Sequence, residues 1–160
     1  MCIRDRSNTY NKRLQPNELK TWSTAGTAMD LTYSFVDASG HNNGDVISIT
    51  NNRDTTRSQG FTYDQVNRIV TAETTSTHAT SPANCWGEAY VYDNATTGEF
   101  GNLTNINVAS SAYTGCTQES LSVTALTNNQ LSATGFSYDA SGNILTDGHN
   151  TCLLYTSRCV

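Results

Sequence analysis

The segment Phe136-Ser137-Tyr138-Asp139-Ala140-Ser141-Gly142-Asn143-Ile144-Leu145 constrains the fold more than any other part of the chain. Phe136 and Tyr138 flank a serine, which is the period-2 pattern of a half-buried strand. Aromatic side chains suit such a pleated, half-buried surface. Asp139 then opens a type I turn. Its carboxylate can accept a bond from the backbone two residues on, and Gly142 supplies a positive φ at the end of the turn. A type I turn followed by a positive-φ residue is a common hairpin connection that carries a bulge. Ile144 and Leu145 begin a return strand. The unit is therefore strand, tight turn, strand.

Three further versions occur in the chain. Tyr33 and Phe35 precede Asp37-Ala38-Ser39-Gly40-His41, and residues 46–50 return as a strand. Phe61-Thr62-Tyr63 precedes Asp64-Gln65-Val66-Asn67, with Asn67 where the other copies have glycine. Asparagine is the next most tolerant residue at such a position. Tyr90-Val91-Tyr92 precedes Asp93, and a longer loop reaches Gly101-Asn102-Leu103 before a strand containing Ile106 and Val108. The aspartates lie 27, 29 and 46 residues apart. The last interval holds a less regular hairpin around Asn128-Asn129, room enough for a degenerate copy. Self-similarity at such periods marks a repeat architecture. One hairpin cannot bury its apolar face alone, so neighbouring hairpins are expected to pair edge to edge and extend one curving sheet. The expected fold class is all-β, a succession of antiparallel hairpins forming a repeat sheet.

The two ends do not share this pattern. Met1-Cys2-Ile3-Arg4-Asp5 back-translates to ATG-TGT-ATA-AGA-GAC, and Cys152-Leu153-Leu154-Tyr155-Thr156-Ser157 to a string of the reverse-complement kind. Both resemble a translated transposase sequencing adapter. Residues 1–6 and 152–160 are therefore set aside from fold reasoning as a scar would be. Residues 7–20 have weak strand potential, with Pro16 suited to an edge or turn, and residues 7–30 are expected to be a partial repeat or connector. Residues 31–151 form the repeat region.

Setting the ends aside leaves Cys85 and Cys116 as the natural cysteines. It also leaves six basic residues against thirteen acidic ones, a net charge of −7. No basic stripe remains to track phosphates, which argues against a nucleic-acid partner. No apolar run approaches the roughly 18 residues of a membrane-spanning helix. Thr, Ser and Asn dominate the polar composition, while Pro and charged residues are few, which separates the chain from disordered sequences. The apolar content is modest, so the core per residue is expected to be small.

Residues 136–145, with the pattern Tyr-Asp-x-x-Gly-Asn-Ile/Leu, resemble the tyrosine–aspartate (YD) repeat of RHS proteins. Residues 61–69, 90–103 and 35–41 resemble it more loosely. In the last of these Val36 stands between Phe35 and Asp37, so the aromatic sits one place further from the aspartate. The resemblance implies a long β strip that spirals into a hollow shell, enclosing a toxic C-terminal domain in bacterial members. It implies a secreted or cell-surface parent protein, whose neighbouring repeats and enclosed domain are the partners of this segment. Related repeats in surface and adhesive proteins imply the alternative of a carbohydrate-binding or adhesion module. The self-cleaving aspartates of such proteins lie downstream of the repeats, and no position here corresponds to them.

The recurrent chemistry has plain structural readings. Asp37, Asp64, Asp93 and Asp139 read as Asx-type turn formers, with Gly40, Asn67, Gly101, Gly142 and Asn143 completing the turns. The acid-rich loop at 37–45 does not follow the calcium-loop template. Tyr33, Phe35, Phe61, Tyr63, Tyr90, Tyr92, Phe136 and Tyr138 read as cross-strand packing, with sugar stacking the alternative for the tyrosines. In an exported protein Cys85 and Cys116, flanking a hairpin, read as a disulfide, with free buried thiols the alternative. His78 lacks a paired Cys-x-x-Cys for zinc. Ser81 and Ser110 lack a nucleophile elbow. No cofactor or metal is expected, and no enzyme motif is present.

Overall fold

The computed structural model describes residues 5–75, 85–93, 100–109, 116 and 119–148. His78, Ser81, Ser110, His149, most of the 94–100 loop and the C-terminal end from 149 lie outside the described residues.

The described chain is all-β, with a single 3₁₀ turn at Thr55–Arg57 and no α-helix among the described residues. Nine strands form one antiparallel sheet in strict chain order: β1 (Asp5–Tyr10), β2 (Pro16–Ser23), β3 (Gly26–Ser34), β4 (Ser48–Asn51), β5 (Gln59–Tyr63), β6 (Ile69–Thr74), β7 (Gly87–Tyr92), β8 (Leu103–Val108) and β9 (Leu121–Ser122). Strands β1 and β9 end this order, and the sheet is not closed into a barrel. Two short hairpins follow, β10 (Thr124–Ala125) with β11 (Leu131–Ser132), and β12 (Phe136–Tyr138) with β13 (Ile144–Asp147). The chain divides into two compact units, Met1–Ala89 with Val108–Gln118, and Tyr90–Asn107 with Glu119–Val160.

Three features depart from the sequence expectation. First, residues 7–30, where little strand structure was expected, lie in three well-paired strands. Polar residues hold them because the main chain, not the side chain, makes the ladder: Glu18, Leu19 and Lys20 pair with Thr9, Asn8 and Ser7 on one side and with Thr32, Leu31 and Asp30 on the other. Pro16 opens β2, where a missing N–H is tolerated. Asp5 and Arg6, set aside with the N-terminal end, pair with Trp22 and Thr21 and are exposed, so the ladder makes no demand on their side chains. Second, the first return strand begins at Ser48 rather than Val46, although Ile47 still donates its N–H to Ser34 O at 2.8 Å. Third, the ladder is not unbroken. The 121–125 segment divides at Val123: β9 pairs with β8, and β10 turns to β11.

The core is thin. Among the described residues the buried apolar side chains are Phe35, Ala72, Cys85, Val123 and Ala125. Buried polar residues carry much of the interior instead. Asp30, only 8 % exposed, meets Lys20 Nζ at 2.5 Å across the β2–β3 register and accepts from Asn52 Nδ2 at 2.8 Å. Thr74, 1 % exposed, bonds Trp86 O through its own N–H at 3.0 Å and through Oγ1 at 3.2 Å.

Candidate functional site

The turn at 139–143 shows how the repeat closes. Asp139 N–H donates to Asn143 O at 2.9 Å, and Gly142 N–H donates to Asp139 O at 3.1 Å. The Asp139 Oδ1 atom accepts from the N–H groups of Ser141 and Asn143 at 2.8 and 2.9 Å. Its Oδ2 accepts from Asn143 Nδ2 at 2.9 Å. Gly142 has φ +87°. One carboxylate thus ties down two backbone donors and the side chain four residues on.

The same set recurs. In the 64–68 turn, Asp64 Oδ1 accepts from Val66 and Arg68 N–H groups, both at 2.9 Å. Arg68 Nε reaches Oδ2 at 2.7 Å, and Asn67 takes φ +62°. In the 37–41 turn, Asp37 Oδ1 accepts from Ser39 and His41 N–H groups at 2.9 and 2.8 Å, His41 Nδ1 lies 3.4 Å from Oδ2, and Gly40 has φ +84°. The longer 93–102 loop keeps the closure but moves one bond. Asp93 N–H donates to Asn102 O at 2.9 Å, and Asp93 Oδ1 accepts from Gly101 rather than from the residue after it, at 2.6 Å. Asn102 Nδ2 meets Oδ2 at 3.2 Å.

One copy escaped the sequence reading, and the irregular hairpin around Asn128-Asn129 is the degenerate copy it left room for. Asn11 replaces the aspartate in the 11–15 turn: its Oδ1 accepts from Arg13 and Gln15 N–H groups at 2.8 and 3.1 Å, and Leu14 takes φ +60°. The signal was present, since Tyr10-Asn11 repeats the aromatic–Asx pair of Tyr63-Asp64, Tyr92-Asp93 and Tyr138-Asp139. Leu14 masked it, because a branched residue rarely adopts positive φ. The 126–130 turn begins with Leu126, whose side chain has no acceptor, although its carbonyl accepts the Asn129 N–H at 2.9 Å. There Asn128 Oδ1 takes the Gln130 N–H at 3.2 Å, and Asn129 supplies φ +64°.

Electrostatics follow from these bonds. Hydrogen bonds to the ionised form hold the carboxyls of Asp37, Asp64 and Asp139 below their ordinary pKa. The leading donors are the His41 N–H, the Arg68 N–H and the Asn143 side chain respectively. The Asp30 carboxyl is held low by the Lys20 ammonium and Asn52.

The repeat aromatics are placed by the bulge beside each turn. The register shifts next to Tyr10, Tyr63 and Tyr138, setting them opposite Pro16, Ile69 and Ile144. Tyr33 faces Ile49, Phe61 faces Ala72 and Phe136 faces Asp147. Tyr90 and Tyr92 lie in β7. Two phenols reach past their own hairpin. Tyr63 Oη donates to Val46 O at 2.9 Å. Tyr138 Oη lies 2.8 Å from both the N–H and the carbonyl of Leu131, and so links β12 to β11 where no ladder does.

Adjacent turns also touch through their amides. Asn42 Nδ2 donates to Gln15 Oε1 at 2.8 Å, and Asn102 Nδ2 donates to Asn129 Oδ1 at 2.7 Å. Cys85, in the connection from β6 to β7, forms a disulfide with Cys116, in the connection from β8 to β9.

A half-open cleft of about 300 Å³ lies between the 37–41 and 64–68 turns. Phe35, Ile47, Phe61 and Tyr63 are its apolar lining, and Asp37, His41, Asp45 and Asp64 are among its polar groups. Burial and then the nearby Asp45 charge push the Tyr63 phenol pKa up, against the lowering effect of its bond to Val46. Among the described residues no group of three or more His, Cys, Asp or Glu side chains could hold a metal ion. No family model matches the chain, and no curated protein matches it significantly.

Proposed function

We propose that this segment is a non-catalytic structural module, a run of YD-type repeats of an RHS-like protein that builds a β wall around other parts of its parent chain. The observation that supports this reading is the recurrence of one turn geometry in consecutive hairpins, each joined to the next by ladder, phenol or amide bonds. A repeat that spends its carboxylates on its own backbone has them committed to shape rather than to a reaction. The thin core fits the same reading, since a wall segment relies on its neighbours for burial. Secretion and enclosure of a C-terminal domain belong to this proposal.

The test is the parent reading frame, sequenced by an adapter-independent method across both ends. The proposal expects further Tyr-Asp-x-x-Gly-Asn-Ile units after residue 151, then a core region and an unrelated C-terminal domain. A frame without further copies would overturn it. A cell-wall anchor in place of the C-terminal domain would favour adhesion.

A further inference from the structure

We infer that the cleft between the 37–41 and 64–68 turns is a receptor for a cationic side chain, arginine above all, presented by another polypeptide segment. The inference stands apart from the wall reading and uses different observations.

Three carboxylates line the cleft, but they are not equivalent. Those of Asp37 and Asp64 are engaged by backbone N–H groups and by His41 and Arg68. The Asp45 carboxylate has no hydrogen-bond or ion-pair partner among the described residues. It lines the same cleft as Tyr63, Phe61 and Ile47. Among the described residues no lysine or arginine lines the cleft to neutralise it. The half-buried Phe61 and Tyr63 supply aromatic surface beside this charge, and Ile47 adds aliphatic surface.

An anionic or neutral polar ligand would leave Asp45 repelled or unmatched. A purely apolar ligand would bury the carboxylate without a partner, which is costly. A guanidinium on an aliphatic stem satisfies each element. Its planar fork donates to carboxylate, its face stacks on an aromatic ring, and its stem covers apolar surface. The volume of about 300 Å³ admits one such side chain.

The test titrates the ¹⁵N-labelled full chain with acetyl-Gly-Arg-Gly-amide and, separately, with the citrulline peptide of the same shape and no charge. The expected result is a saturable shift of amides in 35–47 and 61–67 with the arginine peptide, at about millimolar Kd for a single side chain, and no saturable shift with citrulline. Asp45→Asn is expected to weaken arginine binding by roughly tenfold, the scale of one charge-assisted contact. Asp45→Lys is expected to abolish it. Because the Asp45 side chain has no partner among the described residues, spectra outside the loop should be unchanged in both variants. Equal shifts with citrulline, or no shifts with arginine, would overturn the inference on the unaltered protein alone. Undiminished binding by Asp45→Asn would do the same.

Discussion

Asn67 and Gly142 occupy the same corner of two copies of one turn, both at positive φ, and they differ in what a methyl group would do there. At Gly142 nothing lies nearer to an added Cβ than Gln130 Nε2 at 3.7 Å, so Gly142→Ala is opposed by backbone strain alone. The expected loss is about 1–2 kcal/mol, read from urea midpoints. Asn67→Gly should be neutral or slightly stabilising by the same measurement. Gly135 is a harsher case, because an added Cβ would stand 2.5 Å from Gly148 Cα, where only backbone can yield. Gly135→Ala should therefore destabilise the β12–β13 hairpin more than Gly142→Ala does. The phenols give a second residue-scale comparison. Tyr63→Phe leaves the Val46 carbonyl without its donor and should lose about 1 kcal/mol. Tyr138→Phe removes a hydroxyl that serves both backbone groups of Leu131, and should lose more. Equal losses in the two variants would count against the linking role assigned to Tyr138.

The hairpin tips at 11–15, 37–41, 64–68, 93–102 and 139–143 are each closed by an Asx residue, yet two strands alone bury little. A peptide covering residues 59–74 should therefore show no stable strand signal by circular dichroism, although its Asx turn is complete. A folded isolated peptide would mean that neighbours matter less than the wall reading requires. At this scale the sequence was most informative where aromatic, Asx and glycine coincide. Tyr138, Asp139 and Gly142 gave strand, turn, bulge and return strand in their observed order. The same signal gave the 64–68 turn with asparagine in place of glycine. It faded where a chemically equivalent residue carried the part: Asn11 for aspartate, Leu14 for glycine, Asn128 for the absent Asx at Leu126. Strands β1 and β2 were obscure because their stability resides in main-chain pairing, which leaves no hydrophobic alternation to read. The cleft was not legible either, since Asp45 and Phe61 are brought together by pairing of β4 with β5, a tertiary event.

For the molecule as a whole, charge and covalent closure add to a small apolar core. Asp30, Asp37, Asp54, Asp64 and Asp139 all have carboxyl pKa values lowered by folding from an ordinary value of 3.8. A depressed folded pKa contributes stability that is present above the unfolded value and is lost as pH falls through the folded one. Urea midpoints should hold from pH 7 to about pH 5 and drop steeply below about pH 4. A midpoint that rises on acidification would contradict the turn chemistry. The Cys85–Cys116 bond spans a sequence separation of 31, and loop-closure entropy puts its contribution at about 3–4 kcal/mol. Reduction, or Cys85→Ser with Cys116→Ser, should lower the urea midpoint accordingly. The central claim is that the hairpins from β1 to β9 join in one ladder, and cross-strand nuclear Overhauser contacts on the labelled chain test it most directly. Contacts are expected between hairpins, Ile49 with Gln59 and Thr71 with Ala89, alongside those within hairpins, Thr62 with Thr71 and Ser137 with Thr146. Contacts confined within hairpins, with none between them, would contradict it.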